Sequence, residues 1–211
     1  MIKRGRYIVW EGSDGIGKST QQQIAVQESK ARGIPTLATR EPGGSSIGLQ
    51  VREILLSPDT GDLHPTTELH LFLADRVQLW FGKLAGALAD GYDVHSDRSW
   101  WSTLAYQGAG GELGFEEVIQ AHRLSLPDAY LNPDLGFIFY MTEQERQERH
   151  ERSGFKEFGT KDRIEQQGDD YFGRLLEGYD YAMRELGAIG ISAAGSIEDV
   201  SARWWPYVFP E

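Results

Sequence analysis

The chain has 211 residues, 40% hydrophobic and 25% charged, with a formal net charge of −11 and no cysteine. These values fit a globular protein with a sizeable core and exclude disulfides and thiolate metal sites. The acidic balance argues against non-specific binding to DNA or RNA, and no stretch nears the roughly 20 apolar residues that span a bilayer.

The basic start, Met1-Ile2-Lys3-Arg4-Gly5, leads into a short strand rather than a signal-peptide core, so a soluble cytoplasmic protein is expected. Tyr7-Ile8-Val9-Trp10 is that strand, ending at Glu11. Gly12-Ser13-Asp14-Gly15-Ile16-Gly17-Lys18-Ser19-Thr20 follows and opens a helix that runs to about Arg32. Strand, glycine-rich turn and helix are the setting in which G-x-x-x-x-G-K-[ST] binds phosphate. Glycine lets a phosphate approach the main chain, and the helix N-terminus adds its partial positive charge. Lys18 can reach the terminal phosphates of a nucleoside triphosphate, and Ser19 can ligate Mg2+.

Gly33 and Pro35 close the first helix, and Thr36-Leu37-Ala38-Thr39 reads as a second strand. Arg40 to Ser46 is a loop, and Ile47 to Leu56 a short amphipathic helix. Thr66 to Ala89 is the longest helix signal, with Leu69, Leu73, Val77, Trp80, Leu84 and Leu88 at threes and fours. A less apolar strand, Tyr92 to Ser96, leads to Asp97-Arg98. Helices are predicted over Trp100–Gln107 and Phe115–Leu126, a buried strand over Leu135–Tyr140, and a charged helix over Glu143–Arg152. A Gly-punctuated stretch follows to Thr160, then a helix over Tyr171–Leu186, a strand over Ala188–Ala193 and a helix over Ile197–Trp205. This α/β alternation predicts one domain over 1–211: a three-layer fold with about five parallel strands between helices, and a lid over about 145–165. The first loop would lie at the carboxyl end of the strands, where open α/β sheets bind ligands.

Four clusters bear on what the phosphate is transferred to. Phe72 and Arg76 lie one turn apart within the apolar stripe of the long helix, so Arg76 either snorkels to the surface or is buried with a partner. If buried, Phe72 can stack on a base and Arg76 can bond a ring acceptor. Asp97-Arg98 is either a surface ion pair or a Mg2+ ligand acting through water beside a phosphate clamp. Ser102, Thr103, Tyr106 and Gln107 are either a wet helix face or a pyrimidine-edge reader. Arg146, Arg149 and Arg152, with Arg163 behind them, are either partners in exposed helix pairs or the cations of a closing lid.

Together these residues resemble the thymidylate kinase family. The resemblance runs along most of the chain: Glu11 to Thr20, Thr39-Arg40-Glu41-Pro42-Gly43-Gly44, Leu71 to Arg76, Asp97-Arg98, Ser102 to Gly108, and Asp162-Arg163-Ile164-Glu165. It implies transfer of the γ-phosphate of ATP to dTMP, giving dTDP and ADP, with Mg2+, in a homodimer. Lys18, Ser19 and Thr20 would hold the ATP phosphates and Mg2+, with Asp14 positioning the acceptor. Glu41 would line the deoxyribose pocket, and Arg52 and Arg98 would bind the dTMP phosphate. Phe72 would stack on thymine, Arg76 and Gln107 would bond its edge, and Ser102 and Thr103 would lie nearby. Tyr106 would crowd the 2′ position of the sugar. Some relatives carry an arginine where this chain has Gly15, so the transition-state cation is expected from the lid, from Arg149 or Arg152. Trp100-Trp101 after Asp97-Arg98-Ser99, the polar strand before it and the terminal Trp204-Trp205-Pro206 depart from the family pattern. They leave open a kinase of dUMP or of a modified pyrimidine deoxynucleotide. A deoxynucleoside kinase and a non-catalytic nucleotide switch are the more distant readings.

Overall fold

The computed structural model describes residues 3–142, 144–145, 162–164, 167 and 169–210. Its centre is a five-stranded parallel sheet: β1 (Tyr7–Gly12), β2 (Thr36–Arg40), β3 (Asp93–Asp97), β4 (Leu135–Tyr140) and β5 (Ile189–Ser192), in the order β2-β3-β1-β4-β5. Each face of the sheet has its own core. Tyr7 and Val9 of β1, with Val94 and Ile138, face one helical layer; Ile8 and Trp10, with Phe137 and Phe139, face the other. Burial on both sides is why β1 and β4 read as unbroken apolar runs.

The first layer contains α2 (Ser46–Leu56), α3 (Pro65–Leu79), α4 (Ala85–Ala89), α5 (Trp101–Thr103), α6 (Phe115–Ser125), α7 (Asp128–Leu131) and α8 (Asp169–Glu185). The second contains α1 (Lys18–Ala31) and α9 (Ile197–Val208). The predicted long helix is present but not uniform: a π-helical segment, Trp80–Leu84, joins α3 to α4. A second π segment, Leu104–Gly110, carries α5 onward, and all seven of its residues are buried. The short α7 was not anticipated, and α9 continues through Pro206 to Val208. The predicted charged helix and the Gly-punctuated stretch after it lie outside the described residues, apart from 144–145.

The polar strand β3 is buried because each polar side chain has a partner. Asp93 accepts from the Arg6 backbone N–H at 2.7 Å and from its guanidinium at 2.6 and 2.9 Å. His95 Nδ1 accepts from Trp10 Nε1 at 3.3 Å. The Ser96 hydroxyl donates to the Arg98 carbonyl at 2.8 Å. Two of the tryptophans that departed from the family pattern fill the core. Trp204 meets Trp10 edge-on at 5.1 Å and donates to Gln21 Oε1 of α1 at 2.7 Å. Trp101 lies against β4 at Gly136, where a Cβ would come within 2.3 Å of its ring.

Candidate active site

The sheet register brings the site together. Trp10 pairs with Asp97 across β1 and β3, and Gly12 with Phe139 across β1 and β4. The phosphate loop therefore leaves the sheet beside the end of β3. One further ladder bond, from the Arg98 N–H to the Trp10 carbonyl at 2.9 Å, ties the next residue to β1. The glycines of the loop hold left-handed dihedrals: Gly12 at φ 138°, Gly15 at 72° and Gly17 at 96°. Gly12 also has a steric reason, since a Cβ there would lie 2.6 Å from the Phe139 carbonyl oxygen. Gly17 is the N-cap of α1, so Lys18, Ser19 and Thr20 form its first turn, whose N–H groups have no partner four residues back.

Around the loop lies a compact charge cluster. Lys18 Nζ is 3.4 Å from Asp14 Oδ1 and 4.0 Å from Asp97 Oδ1. The Ser19 hydroxyl donates to Asp97 Oδ2 at 2.5 Å. Asp97 Oδ1 is buried and takes no hydrogen bond among the described residues. Burial alone would raise Asp14, but Arg98 and Lys18 overcome it and hold the carboxyl well below its ordinary range. Burial, and then the Arg98 charge, lower Lys18.

Arg98 joins this loop to a second compartment. It is a non-glycine residue at φ 75°, a conformation that disfavours L side chains. Its Nη2 donates to Asp14 Oδ1 at 2.6 Å, and its Nη1 to the Gly12 carbonyl at 3.2 Å and the Ser102 hydroxyl at 3.0 Å. Nη1 and Nη2 also donate to Tyr179 and Tyr106 at 3.2 and 3.3 Å. Tyr106 places its ring 5.2 Å from the guanidinium carbon and donates its hydroxyl to Asp14 Oδ2 at 3.2 Å. Arg52 of α2 donates to the Pro42 carbonyl at 3.1 Å. Burial first, then the neighbouring charges of Arg40 and Arg98, pull Arg52 below its ordinary value, against the opposing Asp162. Cations that oppose one another in this way favour an anion between them.

Arg76 is buried, 1% exposed, and does not snorkel. Its Nε donates to Glu41 Oε2 at 3.0 Å, Nη1 to the Thr103 hydroxyl at 2.7 Å and Nη2 to the Ser99 carbonyl at 2.7 Å. Nη1 also lies 3.5 Å from His122 Nε2, and the guanidinium carbon is 5.3 Å from the centre of the Phe72 ring. Burial pushes the Glu41 carboxyl up, to about 8, against the pull of Arg76. Tyr130 donates to the same Glu41 oxygen at 2.7 Å. Ser102, Thr103 and Gln107 are buried rather than a wet face. Gln107 Nε2 donates to Glu68 Oε2 at 2.7 Å. Arg146, Arg149 and Arg152 lie outside the described residues. Arg163 is described and pairs with Glu68 at 2.6 Å.

Two residues that carry much of this arrangement were assigned no role from sequence. Glu11 is fully buried and accepts from the Ser99 N–H and hydroxyl at 2.6 and 3.0 Å, and from the Ser102 N–H and hydroxyl at 3.1 and 2.7 Å. It thereby fixes the turn that begins with Arg98 and whose Ser99 carbonyl receives Arg76. Tyr179 comes from α8, about eighty residues downstream of Arg98. The signal available for Glu11 was an acidic residue at the end of an apolar strand, which needs a donor when buried. For Tyr179 no local signal existed.

Comparison with known proteins follows the same outline. A family model described as thymidylate kinase matches residues 10–203. A thymidylate kinase of Pelotomaculum thermopropionicum is 38% identical over 176 residues, 83% of this chain and 79% of that protein. One from Synechococcus sp. is 35% identical over 206 residues, 97% of this chain and 94% of that protein. In fold, the chain is similar to the crystal structure of a thymidylate kinase from Ehrlichia chaffeensis, with a TM-score of 0.75, 24% identity, and 97% and 98% of the two chains covered.

Proposed function

The chain belongs to the thymidylate kinase family, and on that premise we propose that it transfers the γ-phosphate of ATP to dTMP, giving dTDP and ADP. It is an ATP-dependent nucleoside monophosphate kinase. The observation that carries the reading is Arg98, which bonds the phosphate loop at Gly12 and Asp14 and the second compartment at Ser102 and Tyr106. An acceptor phosphate held by Arg98 would lie next to the donor phosphates cradled by the loop. Phosphoryl transfer asks mainly for such positioning and for cations, since the attacking oxygen is already anionic.

In this reading the N–H groups from Gly12 to Thr20 and the Lys18 ammonium bind the donor phosphates. Asp14 is ionised at neutral pH and orients Arg98 and Lys18 rather than taking a proton. Arg52 and Arg98 hold the acceptor phosphate. Phe72, Arg76, Ser102, Thr103 and Gln107 line the base pocket, with Glu41 and Tyr106 beside the sugar. Arg149 or Arg152 supplies the remaining transition-state cation. The Ser19 hydroxyl, and through water Asp97 Oδ1, which takes no hydrogen bond among the described residues, would suit Mg2+, which takes few protein oxygens and keeps its waters. Held there, Mg2+ would offset the charge of the donor phosphates. We also propose a homodimer, to which the long helix could contribute through Phe81, 64% exposed, and a cytoplasmic location.

The test is acceptor-dependent ADP release with ATP–Mg2+ and a panel of dTMP, dUMP, dCMP, dGMP and thymidine. The expected best acceptor is dTMP. Thymidine as best acceptor, or no acceptor-dependent ADP, would overturn the assignment.

A further inference from the structure

Glu68, Phe72 and Arg76 follow one another at single-turn spacing along α3. The segment opposite answers them in reverse order. Gln107 Nε2 donates to Glu68 Oε2 at 2.7 Å, while Thr103 and the Ser99 carbonyl receive Arg76, both at 2.7 Å. Phe72 is the rung between two polar pairs, so a flat ring lying on it would have Gln107 toward one edge and Arg76 toward the other.

Glu68 is itself held in place. Its Oε1 pairs with Arg163 Nη2 at 2.6 Å. Arg163 is anchored by its N–H on the Leu56 carbonyl at 3.0 Å and its Nε on the Leu55 carbonyl at 2.9 Å. A carboxylate can only accept, so it takes the NH2 end of the Gln107 amide and turns Oε1 away. Gln107 Oε1 is buried and takes no hydrogen bond among the described residues. Buried acceptors are nearly always paired, and one left unpaired in a binding pocket points to a donor on the ligand.

We infer that Glu68 is a positioning residue for base selection, because it pins the Gln107 amide so that an acceptor oxygen faces a base lying on Phe72. The matching base carries a ring N–H, as thymine and uracil do. Cytosine offers a lone pair at that ring nitrogen and is refused. The inference rests on the reading of the Phe72 compartment as the acceptor-base pocket.

The experiment compares kcat/KM for dTMP, dUMP and dCMP in the wild type, Glu68→Gln and Gln107→Met. In Glu68→Gln the new amide can donate to Gln107 and let it turn. The dCMP-to-dTMP ratio is then expected to rise about tenfold to a hundredfold, through KM of the acceptors and not KM of ATP. An unchanged ratio, in a protein whose wild type phosphorylates dTMP, overturns the inference and leaves the proposed function standing. A wild type that releases no acceptor-dependent ADP overturns both. Should Glu68→Gln fail to fold for want of its arginine pair, Gln107→Met keeps that pair and removes the amide. Its dTMP preference over dCMP should shrink by a similar factor, and a preference fully retained overturns the inference.

Discussion

The two halves of the candidate site are built from different materials. The phosphate loop is one contiguous run, Gly12 to Thr20, and works largely through main-chain N–H groups and a helix terminus. The proposed acceptor compartment is assembled from β1, the loop after β2, α3, the segment after β3, α6 and α8, through side chains that bond one another. Backbone sites depend on a local conformation, whereas side-chain networks depend on the whole fold being correct. The first half should therefore lose chemistry when altered while the protein stays folded. The second should lose stability and chemistry together.

The sharpest test of that contrast pairs Lys18→Met with Arg76→Met. Lys18→Met is expected to lower kcat about a thousandfold and to shift the urea unfolding midpoint little. Arg76→Met breaks the buried pair with Glu41 and removes one of two donors each from Glu41 Oε2, which keeps Tyr130, and from the Ser99 carbonyl, which keeps the Ser102 N–H; it should cost about 3–5 kcal/mol by urea unfolding. If Arg76→Met unfolds at the wild-type midpoint, the two halves are not different in kind.

Acidification offers a smaller effect of the same sort. Burial, and then Arg76, lower His122 to about 3, and its Nδ1 donates to the Val118 carbonyl at 2.8 Å, leaving Nε2 to face Arg76. Burial lowers His95 to about 4. The fold prefers both neutral, so the unfolded chain binds more protons below the ordinary histidine value. Stability should fall as pH drops from about 6.5 toward 4, by about 1.4 kcal/mol per unit for each histidine. Glu41, pushed up to about 8 by burial, runs the other way over this range, because the fold keeps its proton and the unfolded chain releases it. The histidine contribution is therefore read as a difference: between about pH 6.5 and pH 5, His122→Gln should lose about 1.4 kcal/mol less per pH unit than the wild type by urea unfolding. Equal slopes in the two proteins would contradict it. Asp14, already held low by its cations, adds no loss there.

Two glycines give the finest comparison. A Cβ at Gly178 of α8 would lie 2.4 Å from the Ala105 Cα, backbone that cannot step aside, and Gly178→Ala should cost about 1–3 kcal/mol by overpacking. At Gly15 a Cβ meets nothing within 4 Å, but φ is 72°. Gly15→Ala should therefore cost only about 1 kcal/mol, from the left-handed backbone. Melting temperatures would rank the two, and the reverse order would count against the packing argument.

The same contrast explains what could be read without a structure. The α/β alternation, the five strands and the phosphate loop follow from periodicity and one local motif, because both are short-range properties of the chain. Whether Arg76 is buried or snorkels could not be decided from its stripe, since its partners Glu41, Ser99 and Thr103 are 23 to 35 residues away. Glu11 passed as a strand end for the same reason. The polar strand β3 looked anomalous until Arg6 and Trp10 appeared beside it. The π segments were invisible because their seams depend on packing against α8 and the sheet, not on a local sequence rule.

The ladder bond from Arg98 to the Trp10 carbonyl has a consequence for how the enzyme could change. It makes the sheet a ruler. The backbones that carry the donor cradle and the proposed acceptor clamp lie one strand step apart, about 4.8 Å, which no side-chain substitution can stretch. In the proposed reading, recognition of the base falls further out, on α3 and the segment facing it. New nucleobases could therefore be explored by drift in that outer zone while the spacing of the reacting groups stays constant.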